Sequence, residues 1–219
     1  AAARLATAPA GSSVQLAAAQ AFVSSHSEVD VLRAWLSGSD LPEGVLLDLE
    51  LRWRVLRRLA VLGATTRQEL DRHHAAEPTA RSEVELAGCL ASLPDAAAKS
   101  WAWQRFTGEV EVPNYQLAAA GNGMFQLGQE SLTDAYTDRY FDQVADTAEI
   151  RSGWVLAETA GAFFPATALD EQVVARAVLL ADRPGLDSGL RRVLLDRADD
   201  TRRLVAVRAA YPGAGTSGP

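Results

Sequence analysis

The chain has 219 residues and a formal net charge of −7. Hydrophobic residues make up 48% of it, which is enough for a buried core and excludes a mainly disordered chain. The negative charge disfavours a nucleic-acid partner, and no apolar stretch approaches the roughly 20 residues that a membrane span needs. Basic clusters at 52–58 and 191–203 are interleaved with acids, which is typical of solvated helix faces with intrahelical pairs. We therefore predict neither a nucleic-acid nor a membrane partner.

Helical periodicity dominates the first half of the chain, and strand signals are almost absent throughout. The clearest pattern is an apolar stripe at steps of four, four, four and three residues, formed by Leu47, Leu51, Val55, Leu59 and Leu62. The segment from Thr66 to Glu69 has the pattern of a capping box that opens the next helix, and Pro78 ends that helix. Helices are predicted near 13–25, 28–37, 47–62, 66–77 and 79–92.

Prolines and glycines divide the second half. Pro94 and Pro113 each restart a helix, and the glycines at 121, 123 and 128 predict a helix break that makes 121–129 a loop. An apolar stripe then marks a further helix through Leu132, Tyr136, Tyr140 and Val144. Helices are therefore predicted at 96–106, from 114, around 132–144, and at about 148–163, 170–182 and 188–209.

The spacing of these helices indicates how they pack. The starts of alternate helices fall roughly 30 to 40 residues apart, which is typical of stacked helix pairs. We predict an all-α fold in which antiparallel helix pairs stack as a HEAT/armadillo-like superhelix. A single helical-repeat domain is expected over 1–211, and the Gly-, Pro- and Ser-containing segment 212–219 is expected to be a flexible tail.

Residues able to carry catalysis or bind a metal are scarce. None of the three histidines is followed by Glu and no two are four residues apart, so a His-Glu-x-x-His zinc site is excluded. The pair His73-His74 with Glu77 is interpreted as solvated groups at a helix end. Lys99, the only lysine, has no preceding glycine and cannot belong to a phosphate loop, and Cys89 lies in an apolar run that favours a buried thiol. No catalytic residue, metal ligand or cofactor is predicted in this chain.

Aromatic residues cluster between 101 and 164, and most of them are expected in the core. Phe125 is the exception, because it lies in the polar, glycine-rich loop, and loops on rigid scaffolds often carry contacts.

A series of short segments occurs in the order and spacing of one known family. The Leu51-Arg52-Trp53 triplet and the loop from Phe125 to Gln129 weigh most. The other segments are 42–48, 56–63, 99–103, 113–114, 136–141, 190–192 and 199–206. Together they resemble the C-terminal helical domain of actinobacterial aminopeptidase N, of the gluzincin family of zinc metallo-aminopeptidases. That domain is similar to the C-terminal domain of the endoplasmic reticulum aminopeptidases.

The resemblance implies a C-terminal domain that folds over a catalytic cleft and forms a closed chamber. The zinc and the catalytic residues of such enzymes belong to earlier domains, so the parent enzyme would bind zinc whereas this 219-residue piece alone is expected to be inactive. The implied partners are the catalytic domain of the same chain and peptide substrates. The single cysteine is consistent with a cytoplasmic location.

The candidate peptide-facing residues are Phe125, Gln126, Gln129 and Arg139, whereas Tyr140 is expected to pack inward. The alternative for the three loop residues is that they only cap a helix pair. Leu127 stands where other members of the family usually have proline, so the shape of the loop is an open question. An alternative function also stays open, in which the chain is a free-standing helical-repeat module that binds a partner protein.

Overall fold

The computed structural model describes residues 1–211, and the predicted tail at 212–219 lies outside the described residues. Residues 1–211 form twelve α-helices, one short 3₁₀ turn and no strand, which confirms the all-α prediction. The chain divides into two compact units, Ala1–Lys99 and Ser100 onward.

The first unit consists of short helices joined by tight turns. They are α1 (Ala2–Thr7), α2 (Ser13–Ser25), α3 (Val29–Leu36), α4 (Leu49–Val61), α5 (Arg67–Ala76) and α6 (Ala80–Ser92). Consecutive helices pack as α1 with α2, α3 with α4, and α5 with α6, while α4 also contacts α2 and α6. This is the neighbour pattern expected of stacked helix pairs. The superhelical course of the stack stays a prediction.

Side-chain caps place the helix starts of the first unit. The Asp48 carboxylate accepts a hydrogen bond of 2.8 Å from the backbone N–H of Leu51 and so begins α4. Thr79 and Ser82 form a complete capping box at the start of α6. The box predicted at Thr66 is only half formed, because the Glu69 carboxylate pairs with Arg33 of α3 instead of reaching back.

The core of the first unit is mainly aliphatic and centres on α4. Leu51, Val55 and Leu59 are fully buried, while the two ends of the predicted stripe are only partly buried. They pack with Leu32 and Trp35 of α3. Burying one such aliphatic side chain contributes about 1.5 to 3 kcal/mol. The stripe therefore stabilises the packing of α4, as do Trp53 and Leu56 of the same helix, which are also buried.

The second unit contains longer helices. They are α7 (Ala96–Phe106, whose first turn belongs to the first unit), α8 (Asn114–Met124), α9 (Glu130–Gln143), α10 (Gly153–Ala162), α11 (Glu171–Ala181) and α12 (Ser188–Ala210). A 3₁₀ turn at Asp146–Glu149 precedes α10, where the sequence predicted helix from about 148. Helix α12 packs on α10 and α11, α8 packs on α10, and α9 contacts α11.

Aromatic rings fill the centre of the second unit. The Phe106 ring stacks 4.7 Å from that of Phe163 and 5.9 Å from that of Tyr140. The Tyr140 hydroxyl is fully buried and donates a hydrogen bond of 2.8 Å to the carbonyl of Ala160, near the C-terminal end of α10. Burial raises the pKa of Tyr140, which keeps the hydroxyl protonated and able to donate. The inward packing predicted for Tyr140 is confirmed.

The predicted helix break at 121–123 is wrong. Gly121 and Gly123 are buried within α8, which continues to Met124, so the loop is confined to 125–129. A Cβ atom on Gly121 would lie 2.6 Å from the Phe163 ring and 2.8 Å from the Cβ of Ala162. Gly121 therefore allows α8 and α10 to approach closely.

The prediction of an aromatic core also fails at two positions. Tyr115 and Trp154 lie at the starts of α8 and α10, with 67% and 57% of their surface exposed. Their ring centroids are 6.2 Å apart. Both fall in the first turn of their helices, where a side chain can point away from the packed centre.

Candidate functional site

The loop between α8 and α9 is held by its own hydrogen bonds. The Gln126 side-chain amide donates a hydrogen bond of 3.0 Å to the backbone carbonyl of Asn122. This carbonyl is one of the last four of α8, which have no hydrogen-bond partner within the helix. The backbone carbonyl of Gln126 accepts a hydrogen bond of 3.1 Å from the backbone N–H of Gln129. The Glu130 carboxylate accepts a hydrogen bond of 3.1 Å from the backbone N–H of Gly128. Gly128 has a φ of +82°, a conformation that favours glycine, so the turn is well defined.

Burial separates the candidate residues of this loop into two groups. Phe125 and Gln129 are buried, with 8% and 3% of their surface exposed. Gln126 is half-buried, whereas 74% of Leu127 is exposed. The structure thus brings three of the four predicted residues together in one turn, but the side chain that the turn presents most openly belongs to Leu127.

Arg139 lies two turns further along α9, and its side chain is exposed. Its guanidinium carbon is 5.0 Å from the centroid of the Tyr136 ring, which is in turn 5.1 Å from the Trp103 ring. A cation over an aromatic face gains modest electrostatic energy and keeps the guanidinium close to the helix surface. The charge of Arg139 is therefore available at the surface of the second unit.

A groove of about 440 Å³ lies between α8, α10 and α12. Asn122, the acceptor of the Gln126 amide, lines one side of it and so connects the groove to the loop. Glu158 of α10 and Arg197 of α12 line the other sides. Sequence reasoning missed this groove because its polar residues come from three helices that are distant in sequence. Arg197 does follow the buried Leu194 by three residues, a spacing that indicates a half-buried position.

The remaining reactive groups serve the structure. Cys89 is fully buried with its Sγ 3.9 Å from the carbonyl of Trp53, and burial raises its pKa to about 12, so the thiol stays protonated. The Lys99 side chain is also buried, and its ammonium group donates a hydrogen bond of 2.8 Å to the backbone carbonyl of Ala91 near the end of α6. Burial lowers the pKa of Lys99 to about 8. The buried thiol predicted for Cys89 is confirmed.

The histidine pair ends α5 as predicted, although both rings are half-buried where solvated rings were expected. The Nδ1 atom of His74 is 2.9 Å from the Ser82 hydroxyl, and burial lowers the pKa of His73. Over residues 1–211, no group of three or more His, Cys, Asp or Glu residues is arranged to hold a metal ion. The same stretch contains no helix of the length and apolarity needed to cross a membrane.

The fold and the site define a class: an all-helical chain of packed helix pairs, whose second unit presents a hydrogen-bonded loop and a polar groove. The family model for the ERAP1-like C-terminal domain matches residues 3–203. The chain is also 32% identical over 213 residues to Aminopeptidase N of Streptomyces lividans, a match that covers 95% of this chain and 25% of that protein. The chain therefore belongs to the family of ERAP1-like C-terminal domains, and it spans about a quarter of the length of the curated relative that it matches.

Proposed function

We propose that this chain is the C-terminal part of a zinc aminopeptidase that removes N-terminal residues from peptides. In this proposal it encloses the active-site chamber and helps to position the peptide, without catalytic residues of its own. The observation that carries the proposal is the match of nearly the whole chain to a quarter of an aminopeptidase N. Its partners are then the catalytic domain of the same polypeptide, which holds the zinc, and peptide substrates in the cytoplasm.

The loop of residues 125–129 supplies the proposed contact with the peptide. Leu127 at its tip is presented on a turn that is already ordered, so a peptide that packs against it would cost little loop entropy. Gln126 and Arg139 offer polar groups beside it, while Phe125 and Gln129 hold the turn from inside. Positioning of this kind assists a distant reaction by orienting the substrate.

The proposal is tested on the full polypeptide that carries this domain, by comparing a long and a short substrate. Leu127→Ser is expected to lower kcat/KM for an octapeptide by about 3- to 10-fold, the effect of losing one apolar contact. Hydrolysis of an aminoacyl-coumarin should be unchanged, because that substrate is too short to reach the loop. Leu179→Ser on α11 is the matched control, since 75% of that leucine is exposed and it lies outside the loop.

Three outcomes would contradict the proposal. Equal effects of Leu127→Ser on both substrates would show that the loop does not act on the far end of the peptide. A gene whose reading frame contains no His-Glu-x-x-His segment upstream of this domain would instead support the helical-repeat interaction module. Chelator-sensitive hydrolysis by the 219-residue chain alone would show that catalytic residues had been missed.

A further inference from the structure

The groove between α8, α10 and α12 contains two opposite charges that the rest of the structure leaves unused. Among residues 1–211, neither the guanidinium of Arg197 nor the carboxylate of Glu158 has an ion-pair or side-chain hydrogen-bond partner. The two groups come from facing helices and line the same groove, yet they do not pair with each other. Arg197 is half-buried, so its charge is partly shielded from water and is costlier to leave unpaired than an exposed one.

The other two charged residues at the groove, Asp196 and Asp200, are exposed to water and each lies near an arginine of α12. Asp196 lies 3.8 Å from Arg192, and Asp200 lies 3.6 Å from Arg203, in both cases within α12. The two groove charges that have no ion pair are therefore one positive and one negative group, Arg197 and Glu158. A simple anion at Arg197 would meet the nearby carboxylate of Glu158, and a simple cation at Glu158 would meet the guanidinium. A ligand with both charges satisfies both groups.

The side of the groove formed by α10 is made of small residues. A Cβ atom on Gly161 would lie 3.3 Å from Val193 and 3.5 Å from the Nη2 atom of Arg197, so the arginine crosses α10 at a position without a side chain. Ala157 and Ala162 flank this crossing in the groove lining. The space of about 440 Å³ is at the small end of ligand sites and suits a molecule of amino-acid or dipeptide size.

We propose that this groove binds a small zwitterion, a free α-amino acid or a dipeptide. Arg197 binds the carboxylate through its planar, bidentate donors, and Glu158 binds the ammonium group. Asn122 offers a side-chain amide at the wall. The proposal rests on the groove alone and goes beyond peptide positioning by the loop. Its test measures binding rather than hydrolysis, so the two proposals can fail separately.

The test is a calorimetric titration of the 219-residue protein with four probes. L-Leucine and leucyl-leucine carry both charges, N-acetyl-leucine lacks the ammonium group, and leucinamide lacks the carboxylate. The two zwitterions are expected to bind with Kd of ~1 mM or tighter, and each blocked analogue about tenfold or more weakly. The tighter of the two zwitterions identifies whether a free amino acid or a dipeptide is the source.

Two charge-removing variants assign the contacts. With Arg197→Gln, leucine and leucinamide should bind equally weakly, and with Glu158→Gln the same should hold for leucine and N-acetyl-leucine. Arg208→Gln, near the C-terminal end of α12, exposed and outside the groove lining, is the matched control and should bind leucine like the original chain. Far-ultraviolet circular dichroism must show all three variants folded.

Three results would overturn the inference. Binding of N-acetyl-leucine as tight as that of leucine would remove the role of Glu158 and indicate a plain carboxylate site. Retained leucine binding in both groove variants would place the ligand elsewhere. No saturable binding of either zwitterion by the folded protein would show that the groove is not a site of this kind.

Discussion

The two units differ in what fills their centres. The first unit packs mainly aliphatic side chains around α4, together with the buried Trp53, and its ring–ring contacts are confined to Phe22, His26 and Trp35. The second unit packs a continuous set of rings in which Phe106 stacks on both Tyr140 and Phe163, and Trp103 joins at the side. Aliphatic cores depend mainly on volume, whereas ring packing also depends on relative orientation.

This difference bears on function because the candidate loop and the groove both belong to the second unit. The loop follows α8, whose approach to α10 depends on Gly121 against the Phe163 ring. The groove uses the same two helices together with α12. A core that fixes ring orientation also fixes the spacing of these helices, and binding groups need spacing held to fractions of an ångström. The aliphatic unit carries no comparable pair of features.

The largest expected effect is on the ring cluster itself. Phe106→Ala should lower the free energy of unfolding by about 3 to 5 kcal/mol, because it leaves a cavity among stacked rings. Near-ultraviolet circular dichroism should also weaken, since neighbouring rings lose their fixed orientation. Leu59→Ala in α4 should lose about 2 to 5 kcal/mol with a smaller change in that signal, because Trp35 is the one ring in its cluster of buried residues. Equal spectral changes in both variants would erase the contrast between the units.

Lys99 should give the first unit a pH dependence. Its pKa in the folded protein is about 8, below its ordinary value of 10.5, so between these values the folded state holds fewer protons than the unfolded state. Its contribution to the free energy of unfolding therefore rises with pH through this window, by on the order of 3 kcal/mol. The free energy of unfolding can be measured by urea denaturation from pH 7 to 10.5 for the original chain and for Lys99→Met. Plotted against pH, the two sets of values should diverge. Parallel curves would contradict the burial of the ammonium group. Any contribution of Cys89 and Tyr140 to the pH dependence cancels in the difference, because both proteins contain these residues.

Gly121→Ala should cost about 1 to 3 kcal/mol despite the higher helix propensity of alanine, because the added methyl group meets the Phe163 ring at 2.6 Å. Gly161→Ala on α10 is the matched control. There the nearest atom would be the Cγ1 of Val193 at 3.3 Å, so that neighbour would need to move by only a few tenths of an ångström. Thermal melts of the two variants should therefore differ clearly, and a stabilised Gly121→Ala protein would disprove the close approach.

The smallest effect concerns a charge pair in the first unit. The Arg33 guanidinium and the Thr65 hydroxyl both donate hydrogen bonds to the Glu69 carboxylate. The hydrogen bond from Arg33 is the main cause of the lowered pKa of Glu69. This stabilisation is present above the ordinary pKa of 4.5 and is lost as the pH falls. Glu69→Gln should cost about 1 kcal/mol at pH 7 and progressively less in acid.

Glu50→Gln provides the control for that pair. The Glu50 carboxylate pairs with Arg54 one turn away, and its side chain is 48% exposed, so its loss should be close to neutral at every pH. Comparable losses from both glutamine substitutions in urea titrations would show that the Arg33 contact contributes no more than a surface pair.

Local sequence signals predicted the helices well where a cap or a stripe was present. The helix predicted near 13–25 occupies Ser13–Ser25, and the segment 96–106 is helical as predicted. The prediction failed at Gly121 and Gly123, because glycine is an intrinsic helix breaker and only the facing Phe163 ring shows why it is needed inside α8. For the candidate site, the sequence located the turn at 125–129 but not the groove beside it.

The sequence by itself determined the helices, the absence of a His-Glu-x-x-His site and the family, because these depend on residues near one another in the chain or on their order. Tertiary structure decided which side of each helix is buried against which partner. It placed Phe125 and Gln129 inside the turn, left Leu127 outside, and brought Arg197 opposite Glu158. Contacts between residues about 40 positions apart depend on how helices pack, and local periodicity contains no information about the facing helix.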